Sequence, residues 1–158
     1  MKLIQQNALF EEFEHSDELP LDEQGLLIAA WDAANYAYAP YSEFQVGCAI
    51  LLTNGEIIIG SNQENIAFPS TMCAERSALF ATSAQGKTEL IAKMAIRVHY
   101  RKKLYDNPIT PCGACRQVMA DYEKRAKRNI IVLMQGETGK ILRTTGIAQN
   151  LLPFSFSF

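Results

Sequence analysis

Three cysteines and one glutamate give this sequence the residue types for metal chemistry. Glu75 stands two positions after Cys73, and Cys112 and Cys115 are three positions apart within the run Pro111-Cys112-Gly113-Ala114-Cys115. Three thiolates can fill three corners of a tetrahedral zinc site and leave the fourth corner for water. Because a carboxylate close to such an open site can help to activate that water, the pattern indicates hydrolytic catalysis.

Two other uses of the cysteines fit the sequence less well. In a reducing cytosol, a Cys-x-x-Cys pair with a third cysteine more often indicates metal or redox chemistry than a disulfide. A thioredoxin-like redox pair of Cys112 and Cys115 would leave Cys73 and Glu75 without a role. The fourth cysteine, Cys48, lies in the strand-like apolar run 46–52, which favours a small buried thiol.

The elements that must position these residues follow from the periodicity of the sequence. Apolar residues at helical spacing predict a helix over 21–36, and Asn54-Gly55 between two apolar segments predicts a hairpin of strands 44–52 and 56–60. Further along the chain we expect helix 73–84, strand 91–100, helix 113–125, strand 129–134 and strand 141–145. Alternating strands and helices imply right-handed crossovers. The predicted fold class is therefore α/β, a three-layer α/β/α sandwich with a mixed five-stranded sheet.

Both cysteine motifs fall at predicted helix starts. Cys73 begins one helix, while Cys112 and Cys115 lie in the first turn of the next. The free backbone N–H groups and the positive dipole end at a helix start favour thiolate over thiol. We therefore expect the two helix starts to converge on one metal ion.

Four segments extend the pattern into a family resemblance. They cover residues 39–47, 60–67, 73–76 and 111–117, and they begin with Ala39-Pro40-Tyr41, Gly60-Ser61-Asn62, Cys73-Ala74-Glu75 and Pro111-Cys112-Gly113. Taken together and in this order, they resemble the small cytidine deaminases over roughly residues 20–153. Here Cys takes the place of the His in the general zinc deaminase signature.

The resemblance implies an activity and a set of site residues. The activity is zinc-dependent hydrolytic deamination of free cytidine and 2′-deoxycytidine to uridine and 2′-deoxyuridine plus ammonia, in pyrimidine salvage. One zinc per subunit would be held by Cys73, Cys112 and Cys115, with Glu75 moving the protons and Arg76 donating hydrogen bonds to ligand sulfurs. The substrate-binding residues implied in the same way are Phe44, Asn62, Glu64 and Ala74. The resemblance also implies a homotetramer, in which the aromatic tail of Phe154, Phe156 and Phe158 could be buried against a neighbouring subunit.

Length and composition bound the remaining possibilities. The 158 residues fit a single catalytic domain over 21–158, preceded by an acidic N-terminal leader over 1–20. The apolar runs are too short to span a membrane, and the N-terminus lacks the apolar centre of a secretory signal, so we expect a cytoplasmic protein. A net charge of −2 argues against binding to nucleic acid, which usually requires a basic surface.

Two other functions remain open. The chain could deaminate another amino-heterocycle, such as a nucleoside antibiotic or a base in single-stranded nucleic acid, although the segment of Asn62 and Glu64 favours a free nucleoside. It could instead be a zinc-stabilised binding module without turnover, in which Glu75 would close the metal site as a fourth ligand.

Overall fold

The sheet at the centre of the protein has six strands. A computed structural model describes residues 1–156, in which the elements are β1 (Glu11–Phe13), α1 (Leu21–Ala34), β2 (Phe44–Leu52), β3 (Ile57–Ser61), α2 (Ala74–Ala84), β4 (Ile91–Tyr100), α3 (Gly113–Ala126), β5 (Ile131–Gln135), β6 (Ile141–Thr145) and α4 (Ile147–Asn150). The strand order is β1-β6-β5-β4-β2-β3. Only β4 and β5 pair in parallel, so the sheet is mixed, as predicted.

The prediction of five strands was wrong by one. The additional strand, β1, lies within the segment that we treated as a leader and pairs antiparallel with β6. It has only three residues, and two of them are charged, so no apolar period marks it. Contacts with other parts of the chain hold it instead: Phe13 packs against the core that contains Leu26, Glu11 contacts Arg143 and Glu12 lies 2.6 Å from Lys140. The two basic partners are more than a hundred residues away along the chain.

Helices cover both faces of the sheet, which confirms the layered architecture. Along β2 the side chains alternate between the two faces, as the period of a strand requires. Cys48 and Ile50 face the core that contains Leu79 of α2 and Met119 of α3. Ala49 faces the second core, which contains Leu26 and other buried residues of α1.

Two glycines bring the helices close to the sheet. A Cβ at Gly47 would lie 2.0 Å from the backbone oxygen of Ala30 in α1. A Cβ at Gly60 would lie 2.4 Å from the backbone nitrogen of Ala78 in α2. The second contact fixes the height of α2 above β3, and the metal-ligand motif lies at the start of α2.

Within residues 1–156, no helix is both long enough and apolar enough to cross a bilayer.

Candidate metal centre and substrate cleft

The two helix starts meet as predicted, and they bring three sulfur atoms together. Cys73 is the N-cap residue of α2, and Cys112 is the N-cap residue of α3. The Sγ atoms of these residues and of Cys115 all lie within 4.8 Å of one another, and those of Cys73 and Cys112 are 3.9 Å apart. Tetrahedral zinc with Zn–S bonds of ~2.3 Å would separate its sulfur ligands by about 3.8 Å. The three thiols therefore fit one zinc ion.

The electrostatics of the cluster favour thiolate at Cys73. The pKa of the Cys73 thiol is lowered to about 5, mainly by a hydrogen bond from Cys115 and further by one from Arg76, although partial burial opposes both. The pKa of Cys115 is raised, because its hydrogen bond to Cys73 retains the proton and because the residue is buried. A metal ion must displace such a proton on binding, so zinc affinity depends on pH.

Arg76 is the arginine that contacts a sulfur atom. Its Nη2 lies 3.7 Å from Cys73 Sγ, and its buried Nε has no hydrogen-bond partner within residues 1–156. Arg116 points elsewhere, since it donates hydrogen bonds to the backbone oxygens of Pro111 and Leu151. Arg76 thus supplies positive charge next to a site that three thiolates would make anionic.

Glu75 lies beside the thiols and is almost completely buried, with 5% of its surface exposed. Its pKa is raised, first by burial and then by the negative charge of Cys73. A raised pKa lets a carboxyl group hold a proton more readily, so Glu75 is suited both to accept a proton and to return it. Cys48 is fully buried, as predicted, and burial raises its pKa, so it has the character of an unreactive core thiol.

A cleft of about 380 Å³ opens next to this cluster. All the predicted substrate-binding residues line it, together with the catalytic candidate: Phe44, Asn62, Glu64, Ala74 and Glu75. Its walls also include Cys73 and Cys112, so the metal site borders the space in which a small molecule could bind.

Asn62 and Glu64 are held in fixed orientations at the edge of the cleft. Asn62 accepts a hydrogen bond from the Val46 N–H at 2.7 Å and donates one to the Phe44 oxygen at 2.9 Å. Glu64 accepts hydrogen bonds from the Tyr41 N–H at 2.8 Å and from the hydroxyl of Ser42. Partial burial opposes ionisation of Glu64, but these hydrogen bonds outweigh it and lower the pKa of the carboxyl. Glu64 therefore presents a carboxylate to the cleft.

Sequence reasoning missed part of the cleft wall. Ile109 and Thr110 line it from the loop between β4 and α3, and Ser42 lines it from the segment before β2. The loop carries no periodic pattern, and its only signal was the position of Ile109 and Thr110 just before Cys112.

Comparison with known proteins agrees with this geometry. Residues 21–133 match the family model described as the cytidine and deoxycytidylate deaminase zinc-binding region. A cytidine deaminase of Halalkalibacterium halodurans is 37% identical over 137 residues, which cover 87% of this chain and 96% of the relative. One from Sporosarcina psychrophila is 36% identical over 87% of this chain and 93% of its own length. The crystal structure of cytidine deaminase from Burkholderia pseudomallei superposes with a TM-score of 0.72 at 37% identity, covering 84% of this chain and 97% of that one. By sequence and by fold, the chain belongs to the cytidine and deoxycytidylate deaminase family.

Proposed function

We propose that the protein hydrolyses free cytidine and 2′-deoxycytidine to uridine and 2′-deoxyuridine, with release of ammonia, as a step in pyrimidine salvage. One observation carries the proposal: Glu75, buried and with a raised pKa, shares a cleft wall with two thiols of a three-thiol zinc site. Three protein ligands leave a zinc ion one position for water, which is the arrangement of a catalytic rather than a structural site.

Glu75 moves the protons of this reaction. Zinc, when bound by the three thiolates, supplies a polarised water next to the substrate. Glu75 would take a proton from the attacking water as the oxygen of that water adds to C4 of the pyrimidine, and would pass the proton to ring nitrogen N3. It then assists proton transfer to the amino group, so that the C4–N bond breaks and ammonia leaves. Each of these transfers is general acid–base catalysis, worth about 10²–10⁴-fold.

The other cleft residues select the substrate. Asn62 and Glu64 lie at the end of the second hairpin strand and would hydrogen-bond the sugar hydroxyls, while Phe44 packs against the nucleoside. The backbone of Ala74 would meet the amide edge of the pyrimidine. The carboxylate of Glu64 disfavours a phosphate close to the sugar, which supports a free nucleoside over a nucleotide as substrate.

A homotetramer would cover apolar surface that one chain leaves open. Tyr41 and Phe68 form an edge-to-face pair at 5.6 Å, and Ile66, two residues before Phe68 in the chain, is 82% exposed. A groove between α2 and α3 is lined by Phe80, Tyr122 and Phe156 of the tail, together with charged side chains such as Asp121 and Arg125. Patches of this kind mark interaction sites on soluble proteins. The tail contributes Phe154, which is exposed, whereas Phe158 lies outside the described residues. Light scattering of the purified protein would give the number of subunits.

Two further features of the chain bear on its location and its partners. All four cysteines are free, which suits a reducing cytoplasm. The net charge of −2 suits a substrate without phosphates rather than a nucleic acid.

The proposal is tested by ultraviolet monitoring of the zinc-loaded protein with cytidine and with 2′-deoxycytidine, and by assay of the ammonia released. Glu75→Gln is the matched control, since it keeps the size of the side chain but cannot carry the proton. Conversion by the natural protein and not by the variant is the expected result. One zinc per chain without any conversion would contradict the nucleoside assignment and favour another amino-heterocycle or a non-catalytic zinc module.

A further inference from the structure

The loop over residues 101–112 forms one wall of the cleft without any helix or strand of its own. It begins after the last residue of β4 and ends at Cys112, and its residues Ile109 and Thr110 face the cleft. Because the loop has no regular hydrogen-bond ladder, its course depends on a few contacts with the rest of the protein.

One set of contacts holds the middle of the loop against the turn between β5 and β6. The Glu137 N–H donates a hydrogen bond of 2.6 Å to the Tyr105 oxygen, and a Cβ at Gly136 would lie only 2.2 Å from that same oxygen. Arg97 stabilises the turn between β5 and β6, because its guanidinium donates hydrogen bonds to the backbone oxygens of Gly136 and Glu137. The backbone of Tyr105 is therefore held against the turn between β5 and β6.

The side chain of Tyr105 points to Phe44. The two rings meet edge to face, with centroids 5.4 Å apart and an interplanar angle of 87°. Tyr100 packs on Phe44 in a similar way at 5.2 Å. Phe44 lines the cleft, whereas Tyr105 is not among the residues that line it. Tyr105 can therefore influence a bound molecule through Phe44, without touching it.

We propose that Tyr105 is a positioning residue for substrate binding, which holds the ring of Phe44 in the orientation that receives the nucleoside. The inference rests on the proposed function and adds to it a specific determinant outside the cleft. Among residues 1–156, loss of the Tyr105 ring would leave Phe44 with one aromatic neighbour, Tyr100, instead of two, and the Phe44 ring could turn away from the substrate. The zinc site should be unaffected, because the ring of Tyr105 contacts Phe44 and its backbone oxygen accepts a hydrogen bond from Glu137.

The experiment compares Tyr105→Ala with Tyr105→Phe, which keeps the ring and removes only the hydroxyl. For Tyr105→Ala we expect a rise in KM of between about twofold and tenfold, the range of one aromatic pair, with kcat much less affected and one zinc per chain. Tyr105→Phe should match the natural enzyme. Tyr105→Leu keeps apolar bulk and should raise KM as well, so it serves as the second variant if the alanine protein folds poorly.

A double-mutant cycle separates positioning from general destabilisation. In a Phe44→Ala background, Tyr105→Ala should raise KM little further, because the ring through which Tyr105 acts on the substrate is already absent. Binding of cytidine to the inactive Glu75→Gln protein, measured by calorimetry with and without Tyr105→Ala, should show the same loss of affinity without turnover. An unchanged KM in Tyr105→Ala, an equal loss in Tyr105→Phe, or full additivity with Phe44→Ala would overturn the proposal. Absence of cytidine turnover in the natural protein would instead refute the proposed function, and this inference with it.

Discussion

Gly60 offers a direct way to test how the fold positions the metal site. It lies in β3 beneath α2, where an added Cβ would be 2.4 Å from the Ala78 nitrogen and 2.8 Å from both the Ala74 oxygen and the Ala78 Cα. All three atoms belong to the backbone of the helix, so no flexible side chain can move aside. Gly60→Ala must therefore push α2 away from the sheet, and α2 begins at Cys73 and carries Glu75.

The size of the effect follows from these distances. Ordinary van der Waals contact begins at 3.4 Å, so relief of the closest contact requires a displacement of about 1 Å. Overpacking of this kind costs about 1–3 kcal/mol of stability. A displacement of ~1 Å in catalytic groups can lower turnover by about 10²-fold. We therefore expect Gly60→Ala to lower turnover by about 10²-fold and to weaken zinc binding.

The assay measures kcat, zinc content and melting temperature for Gly60→Ala beside Gly25→Ala. Gly25 lies within α1, where an added Cβ meets no atom within 4 Å, so this control makes the same chemical change in open space. Gly25→Ala should keep full activity and gain about 0.5–1 kcal/mol, because alanine favours a helix over glycine. Full activity and zinc content in Gly60→Ala would refute the view that the contact of β3 with α2 sets the geometry of the site.

Three further predictions concern the site and the edge of the sheet. Glu75→Gln should keep one zinc per chain and lose at least ~10²-fold in turnover, since it removes the proton carrier but no sulfur; metal analysis and kinetics of the same sample check this. Arg76→Ala should weaken zinc binding by about 10–100-fold in a competition with a chelator, while Arg116→Ala, which leaves the sulfurs untouched, should not. Deletion of residues 1–13 should lower the melting temperature and promote aggregation by uncovering the edge of β6, and should leave zinc content and kcat unchanged; a lost zinc site would show that this segment belongs to the catalytic unit.

The convergence of the three thiols was predictable because it depends on local sequence. Cys-x-x-Cys places two sulfurs in one helical turn, and the approach of Cys73 follows from the order of strands and helices. The apolar run 46–52 predicted strand β2 in the same way, from residues that are close together in the chain. These features need only the period of a helix or a strand and the handedness of a crossover.

The missed features depend on contacts between distant parts of the chain. In β1, Glu11 contacts Arg143 of β6 and Glu12 contacts Lys140 just before β6. The three residues of β1 contain no pattern from which these partners could be predicted. In the sequence, Tyr105 is an aromatic residue in a loop without any distinguishing pattern. Its role depends on contacts with Gly136 and Phe44, which are distant in the chain. Residue propensities and motif spacing do not predict such contacts, because the two partners are far apart in the sequence.

Different contacts support the metal site and the cleft wall formed by Phe44. We therefore expect mutations in these two regions to have different effects. Cys73 lies at the start of α2, which packs through its backbone on Gly60. Cys112 lies at the start of α3, which carries Glu123. The buried carboxylate of Glu123 holds α3 in place, because it accepts hydrogen bonds from the N–H groups of residues 130, 147 and 148. Phe44 is held by aromatic rings from β4 and its following loop. A change beneath α2 should therefore affect zinc binding and turnover together, whereas a change at Tyr105 should affect mainly KM. We therefore expect substitutions at Tyr105 to alter the affinity for substrate while the zinc site stays intact.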